Sequence, residues 1–200
     1  MKIILIGYKG TIGKVVHQQL SKNHEVVCCG RTSGDYLVDI TSPESITGLF
    51  EKVGSFDAVV CTVGVAGWGP LSTMDNEKFF TGINSKLMGQ VNLVLIGQKY
   101  IADSGSFTLI SGILADDPVM GASNAAMVNG GLHSFVKAAG RELTKDVRIN
   151  VVSPGMVKDS AEKFEKTFAG HVPVEMHAVA MAFVKSVEGN STGEVLRVYP

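Results

Sequence analysis

Three glycines at a spacing of three, Gly7, Gly10 and Gly13, follow the apolar run Lys2-Ile3-Ile4-Leu5-Ile6. After them the apolar residues Ile12, Val15, Val16 and Leu20 fall on one helical face. A strand, a glycine-rich turn and a helix in this order point backbone N–H groups and a helix N-terminus at an anion, and a pyrophosphate fits that place. Gly7 permits the tight turn, Gly10 lets phosphates approach the backbone, and Gly13 lets helix and strand pack closely. Tyr8, Lys9, Thr11 and Ile12 fill the rest of the turn and would lie along the same ligand. The spacing is GxxGxxG rather than GxGxxG, and any turn uses glycine. The strand before and the helix after are what favour phosphate binding over a purely structural turn.

The elements that must position this turn alternate along the chain. Glu25-Val26-Val27-Cys28-Cys29 reads as a second buried strand, closed by Gly30-Arg31-Thr32-Ser33. The residue after such a strand meets the adenosine ribose; an acid there binds a free 2′-hydroxyl and a base accommodates a 2′-phosphate. Arg31 stands there with no carboxylate, so NADP is expected over NAD; the other reading is a solvated loop arginine. Tyr36-Leu37-Val38 is a third strand. Ser42 caps a helix with Pro43 and Glu44 in its first turn and Ile46, Leu49, Phe50 and Val53 on its buried face. A fourth strand, Asp57 to Thr62, leads into a glycine-rich loop, Val63 to Leu71, carrying Trp68, which either walls a pocket or packs under the loop. Helices are expected over 75–82, 84–102, 122–145, 160–168 and 175–187, and strands at 106–111, 148–152 and 194–198. This alternation predicts one α/β domain over residues 1–200, a Rossmann-type doubly wound parallel sheet of about seven strands with helices on both faces.

Composition narrows the function classes. The 200 residues carry a net charge of −1, which leaves no basic footprint for nucleic acid or an anionic membrane surface. No apolar run reaches the length of a membrane span, and Met1-Lys2 enters the first strand without room for a signal peptide. Three cysteines without framework spacing read as reduced thiols and predict a cytoplasmic protein with no metal site. Only 18% of residues are charged against 45% hydrophobic, so some surface is expected to be buried between subunits.

The order of these motifs resembles the short-chain dehydrogenase/reductase family over essentially the whole chain. Besides the glycine turn, the resemblance is carried by Asn150-Val151-Val152-Ser153-Pro154-Gly155, similar to the family's N-x-x-S-P-G, and by Thr192-Gly193-Glu194-Val195-Leu196, similar to its closing strand. It implies that Pro154, Gly155, Met156 and Val157 lie beside a nicotinamide and that Asp39 and Ile40 contact adenine. Cys61-Thr62-Val63-Gly64 replaces the family's Asn-Asn-Ala-Gly after the fourth strand, which puts Val63 and Gly64 against the cofactor, and Arg31 and Thr32 fall at the adenosine end. Ser111 matches the catalytic serine. The helices over 84–102 and 122–145 match those that pair across a dimer interface, so a homodimer or homotetramer is implied.

The catalytic Tyr-x-x-x-Lys is missing. Aligned on the run that follows it, Met120 stands at the tyrosine and Asn124 at the lysine, and Lys86 stands near the family's helix asparagine. A thioether has no proton to give and an amide is a very poor acid. The remaining candidates are Ser111 as polarising donor, Lys86 as proton donor if burial lowers its pKa, and Asp116 or Asp117. His133, His171 and His177 are read as surface or core histidines. Three functions stay open: an NADP-dependent oxidoreductase for a small carbonyl or alcohol, a catalytically silent NADP-binding sensor or scaffold, and isomerase, dehydratase or epimerase chemistry on the same fold.

Overall fold

The computed structural model describes residues 1–200 apart from the side chain of Lys163. Seven parallel strands form one sheet in the order β3-β2-β1-β4-β5-β6-β7. They are β1 (Lys2–Ile6), β2 (Glu25–Gly30), β3 (Tyr36–Leu37), β4 (Phe56–Cys61), β5 (Ile101–Ile110), β6 (Arg148–Pro154) and β7 (Glu194–Val198). The helices are α1 (Thr11–Leu20), α2 (Pro43–Val53), α3 (Asn76–Gly82), α4 (Gly89–Gly97), α5 (Ser123–Glu142), α6 (Lys158–Phe164) and α7 (Met176–Glu188), with a π-helical stretch Ile83–Met88 joining α3 to α4.

Alternation along the strands feeds two cores. Ile4, Ile6, Val59, Cys61, Phe107, Leu109, Ile149 and Val151 face α2, α4 and α5, where Phe50, Leu93 and Leu132 close the layer. Ile3, Leu5, Ala58, Val60, Ile110 and Val152 face α1 and α7, with Val16, Leu20, Val179 and Phe183 packed on them. Both strand faces are buried, which is why these strands read as continuous β-branched runs rather than alternating ones. Order reverses between β1 and β4, so the loops after these strands part, and ligands bind in that crevice in open α/β sheets.

Three expected helices end sooner than the periodicity implies. The helix over 84–102 begins as a π-helical stretch, ends at Gly97, and gives Ile101 and Ala102 to β5. Ile101 pairs with Phe56 in the sheet and is buried there, so strand pairing takes the residue that periodicity assigned to a helix. Likewise α5 stops at Glu142 and α6 covers 158–164 rather than 160–168.

Candidate active site

The glycine turn has the shape its sequence requires. Gly7 sits at φ 95°, and a Cβ there would lie 2.2 Å from the Val63 side chain. A Cβ on Gly13 would lie 2.0 Å from the Gly7 carbonyl oxygen, so α1 packs against the turn only with glycine at 13. The Thr62 hydroxyl donates to the carbonyls of Ile6 (3.0 Å) and Gly7 (3.2 Å), tying the ends of β4 and β1 together. No side chain caps α1 at Gly10, which leaves the first N–H groups of the helix for a ligand.

A cavity of about 230 Å³ opens from this turn and is lined by Gly7, Arg31, Asp39, Ile40, Val63 and Gly64, among others. Arg31 also borders an adjoining hollow with Thr41, Asn84 and Ser85. The Asp39 carboxylate accepts from the Thr41 hydroxyl (2.7 Å) and backbone N–H (2.9 Å), and these bonds hold its pKa below the usual range.

Beyond Gly64 a second cavity of about 310 Å³ is walled by Trp68, Ile113, Leu114, Met156 and Phe168, with Lys86, Ser111, Asn129, Pro154 and Gly155 also at its surface. Trp68 is therefore a pocket wall, half-exposed, and the Pro154-Gly155 turn faces the same space. The elements that aim Lys86 and Ser111 are locked by Gln90. Its buried amide donates to the carbonyls of Lys86 and Ile110 (both 2.9 Å) and accepts from the Ile110 N–H (2.8 Å). Lys86 reaches over Gly64, where a Cβ would lie 3.0 Å from its stem, and its ammonium donates to the Ser111 carbonyl at 3.3 Å. Burial pulls the Lys86 pKa down to about 8. The Cys61 thiol is pushed up to about 11 by burial and is inert beside it.

Two residues assigned from sequence lie elsewhere. Met120 is 92% exposed and does not line the cavity. Asn124 is fully buried as a structural brace, accepting from the Gly67 N–H (2.7 Å) and donating to the Phe79 carbonyl (2.8 Å). The residues of α5 that line the cavity beside Ser111 are Ala125 and Asn129, one turn apart, the spacing of the family's tyrosine and lysine. The Asn129 Oδ1 is buried without a hydrogen-bond partner among the described residues. A five-residue offset in aligning the run before α5 produced the misplacement.

Neither aspartate lines this cavity. Asp116 accepts from Arg197 Nε (2.9 Å), from Arg197 Nη2 (3.2 Å) and from the Tyr199 hydroxyl. Those bonds pull its pKa down to about 2 and leave no proton to give. Asp117 is exposed and lies 3.6 Å from His171. His133, read from sequence as unconnected to a strand end, lies instead 2.8 Å from the Ser111 hydroxyl through its Nε2. Among the described residues no group of three or more His, Cys, Asp or Glu side chains could hold a metal ion.

An open parallel sheet with a glycine turn at its switch point, beside a second cavity at the ends of β5 and β6, is the architecture of the dinucleotide-binding folds. Residues 14–192 match the family described as enoyl-(acyl carrier protein) reductase. The chain is 47% identical to the protein lin1944 from Listeria innocua, over the full length of both, with a TM-score of 0.98. It is 26% identical to a small-chain dehydrogenase solved in complex with NADPH, over 100% of this chain and 96% of that one, with a TM-score of 0.88. At 18% identity the aldohexose dehydrogenase of Thermoplasma acidophilum shares the fold, covering 98% and 91% of the two chains with a TM-score of 0.86. No curated protein matches the sequence. The chain belongs to the short-chain dehydrogenase/reductase family and has its oxidoreductase fold.

Proposed function

We propose that the protein is an NADPH-dependent reductase of small carbonyl compounds, working in the alcohol direction when the cofactor is oxidised. The observation that carries this reading is the pair of cavities that meet at Gly64, one lined by Gly7 and Arg31 and the other presenting Ser111 and Lys86. The residues fit the dinucleotide. Uncapped N–H groups of α1 suit its pyrophosphate, Arg31 suits a 2′-phosphate, and the unpartnered Asn129 Oδ1 suits a ribose hydroxyl. Asp39 and Ile40 line its adenosine end, and Pro154, Gly155 and Met156 line the nicotinamide end, with Val157 following at the start of α6. NADPH, when bound, supplies the hydride. Ser111 donates a hydrogen bond to the carbonyl oxygen, and the Lys86 ammonium stabilises the charge that develops there. A pKa of about 8 leaves Lys86 mostly charged at neutral pH, with its ammonium lost as pH rises past that value. The apolar walls Trp68, Ile113, Leu114, Met156 and Phe168 select a small substrate with an apolar portion.

Cofactor choice tests the first part. Wild type should bind NADPH more tightly than NADH in a fluorescence titration, and Arg31→Asp should weaken NADPH binding by roughly tenfold or more by removing a phosphate partner and adding repulsion. Equal dissociation constants for the two cofactors in the wild type would count against it.

The three cysteines are free, which supports a reducing, cytoplasmic setting. No helix among the described residues is long and apolar enough to cross a membrane. Met88 and Leu95 on the π-helical stretch and α4, and Met127 on α5, are exposed apolar side chains on the helices proposed to pair in a homodimer or a tetramer of dimers. Multi-angle light scattering at micromolar concentration should give a multiple of the 21.2 kDa chain mass, and a monomer would refute the pairing.

A further inference from the structure

The cavity holds no tyrosine, yet the Ser111 hydroxyl is not isolated. Its Oγ lies 2.8 Å from His133 Nε2, a much closer partner than the Val152 carbonyl at 3.4 Å. Ser111 lies on the cavity surface, whereas His133 is almost fully buried behind it on α5. Three charged groups act on the ring: Asp116 from the loop after β5, Arg197 from β7 and Lys137 from α5. Asp116 favours the imidazolium, while Arg197 and Lys137 oppose it. Asp116 is held in place by Arg197 and Tyr199, so the carboxylate is a fixed part of the site rather than a mobile surface charge.

We infer that His133 feeds protons to Ser111 and that this buried pair replaces the family's tyrosine as the proton route; the inference rests on the carbonyl-reductase reading above. In reduction, the carbonyl oxygen keeps the electron pair of its π bond as carbon accepts the hydride. The Ser111 Oγ–H proton passes to that oxygen, and the Nε2–H proton of the His133 imidazolium passes to Oγ. Serine is thus restored, His133 is left neutral, and one proton taken from bulk solvent per turnover restores the imidazolium. In alcohol oxidation each transfer reverses, and neutral His133 accepts. For Ser111 to donate forward, Nε2 must be protonated, because an Nε2 that accepts would take the same hydroxyl hydrogen. Burial lowers the His133 pKa below 6.5 against the pull of Asp116, so the charged donor fades as pH rises through the acid range. Reduction should therefore carry an acidic limb in addition to the one near 8 that Lys86 contributes. His133 is a positioning residue here, since it reaches the substrate only through Ser111.

The test uses the full chain with NADPH and 4-nitrobenzaldehyde, together with a panel of short ketones and diketones as carbonyl probes. His133→Gln keeps an N–H near Ser111 but cannot titrate. It should lower kcat roughly 10- to 100-fold with KM nearly unchanged and remove the acidic limb of the pH profile. His133→Asn serves as a second non-titrating variant where Gln does not fold. Independently of turnover, the His133 ring followed by nitrogen-detected NMR should titrate lower in Ser111→Ala than in wild type, because the imidazolium loses its acceptor. A purely structural Ser111–His133 bond predicts reduced stability with the acidic limb intact. Turnover with an unchanged pH profile in His133→Gln, or the same His133 titration with and without Ser111, overturns the relay alone. NADPH binding with no turnover of any probe overturns the reductase reading and the relay with it.

Discussion

Placing Tyr at 125 and Lys at 129 should raise NADPH-dependent carbonyl reduction by roughly 100-fold or more, the lower range of what a positioned general acid contributes. Ala125 and Asn129 face the cavity that presents Ser111, and one helical turn separates them, so both new side chains would enter the reacting space. An ammonium beside a phenol depresses its pKa and turns it into an effective acid near neutrality. Lys86 already places one ammonium at this cavity, so Ala125→Tyr alone should recover part of the gain. The comparison that sharpens the result is Met120→Tyr/Asn124→Lys. Met120 points to solvent, and Asn124→Lys removes hydrogen bonds to Gly67 and Phe79 while burying an ammonium. That pair should cost about 3 kcal/mol or more in chemical denaturation and add no activity. An Ala125→Tyr/Asn129→Lys protein that folds, binds NADPH and reduces carbonyls no faster than wild type would show that these positions are not the tyrosine and lysine sites.

Ser111→Ala should lower carbonyl reduction by roughly 100-fold or more, the order seen when an oxyanion donor is removed. The hydroxyl is the polarising donor at the cavity, and it is also the link through which His133 acts. NADPH affinity should hardly change, because the phosphate and adenosine contacts lie at the other end of the cleft, around Gly7, Arg31 and Asp39. The measurement is kcat beside a cofactor dissociation constant for each protein. Equal kcat in wild type and Ser111→Ala would remove Ser111 from the chemistry.

The parts of this protein that sequence discloses are those governed by local rules. The strand–Gly7–α1 turn, the Ser42-Pro43 helix start and the alternation of strands and helices follow from glycine sterics, capping and periodicity. The first two appear in the structure within a residue or two of their expected bounds, and the alternation holds although β5 begins at Ile101 rather than 106 and the helices expected over 84–102 and 160–168 end early. The apolar stripe after Asn84 misleads at its end because Ile101 belongs to the stripe by spacing but to β5 by pairing with Phe56. Lys86 and Ser111 were legible because a strand end and a helix turn bring them to the carboxyl edge of the sheet. The Ala125 and Asn129 positions were not, since a helix entered through a loop has no fixed phase in sequence. His133 and Gln90 escaped for another reason. Each acts by a hydrogen bond across more than a dozen residues, His133 to Ser111 and Gln90 to Ile110, and such a bond leaves no periodic trace. Asp116 illustrates the converse: in sequence it reads as a candidate acid, and only the fold shows Arg197 and Tyr199 arriving from β7 and the residue beyond it to hold it ionised.

The most direct test of the central claim is the loss of NADPH absorbance when wild-type protein meets a panel of small aldehydes, ketones and diketones at neutral pH. The account predicts turnover of at least one member, faster with NADPH than with NADH and strongly reduced in Ser111→Ala. Tight NADPH binding with no absorbance loss across the panel, in a wild type whose Ala125→Tyr/Asn129→Lys variant does turn over, would contradict it and leave a protein that binds the dinucleotide without using it.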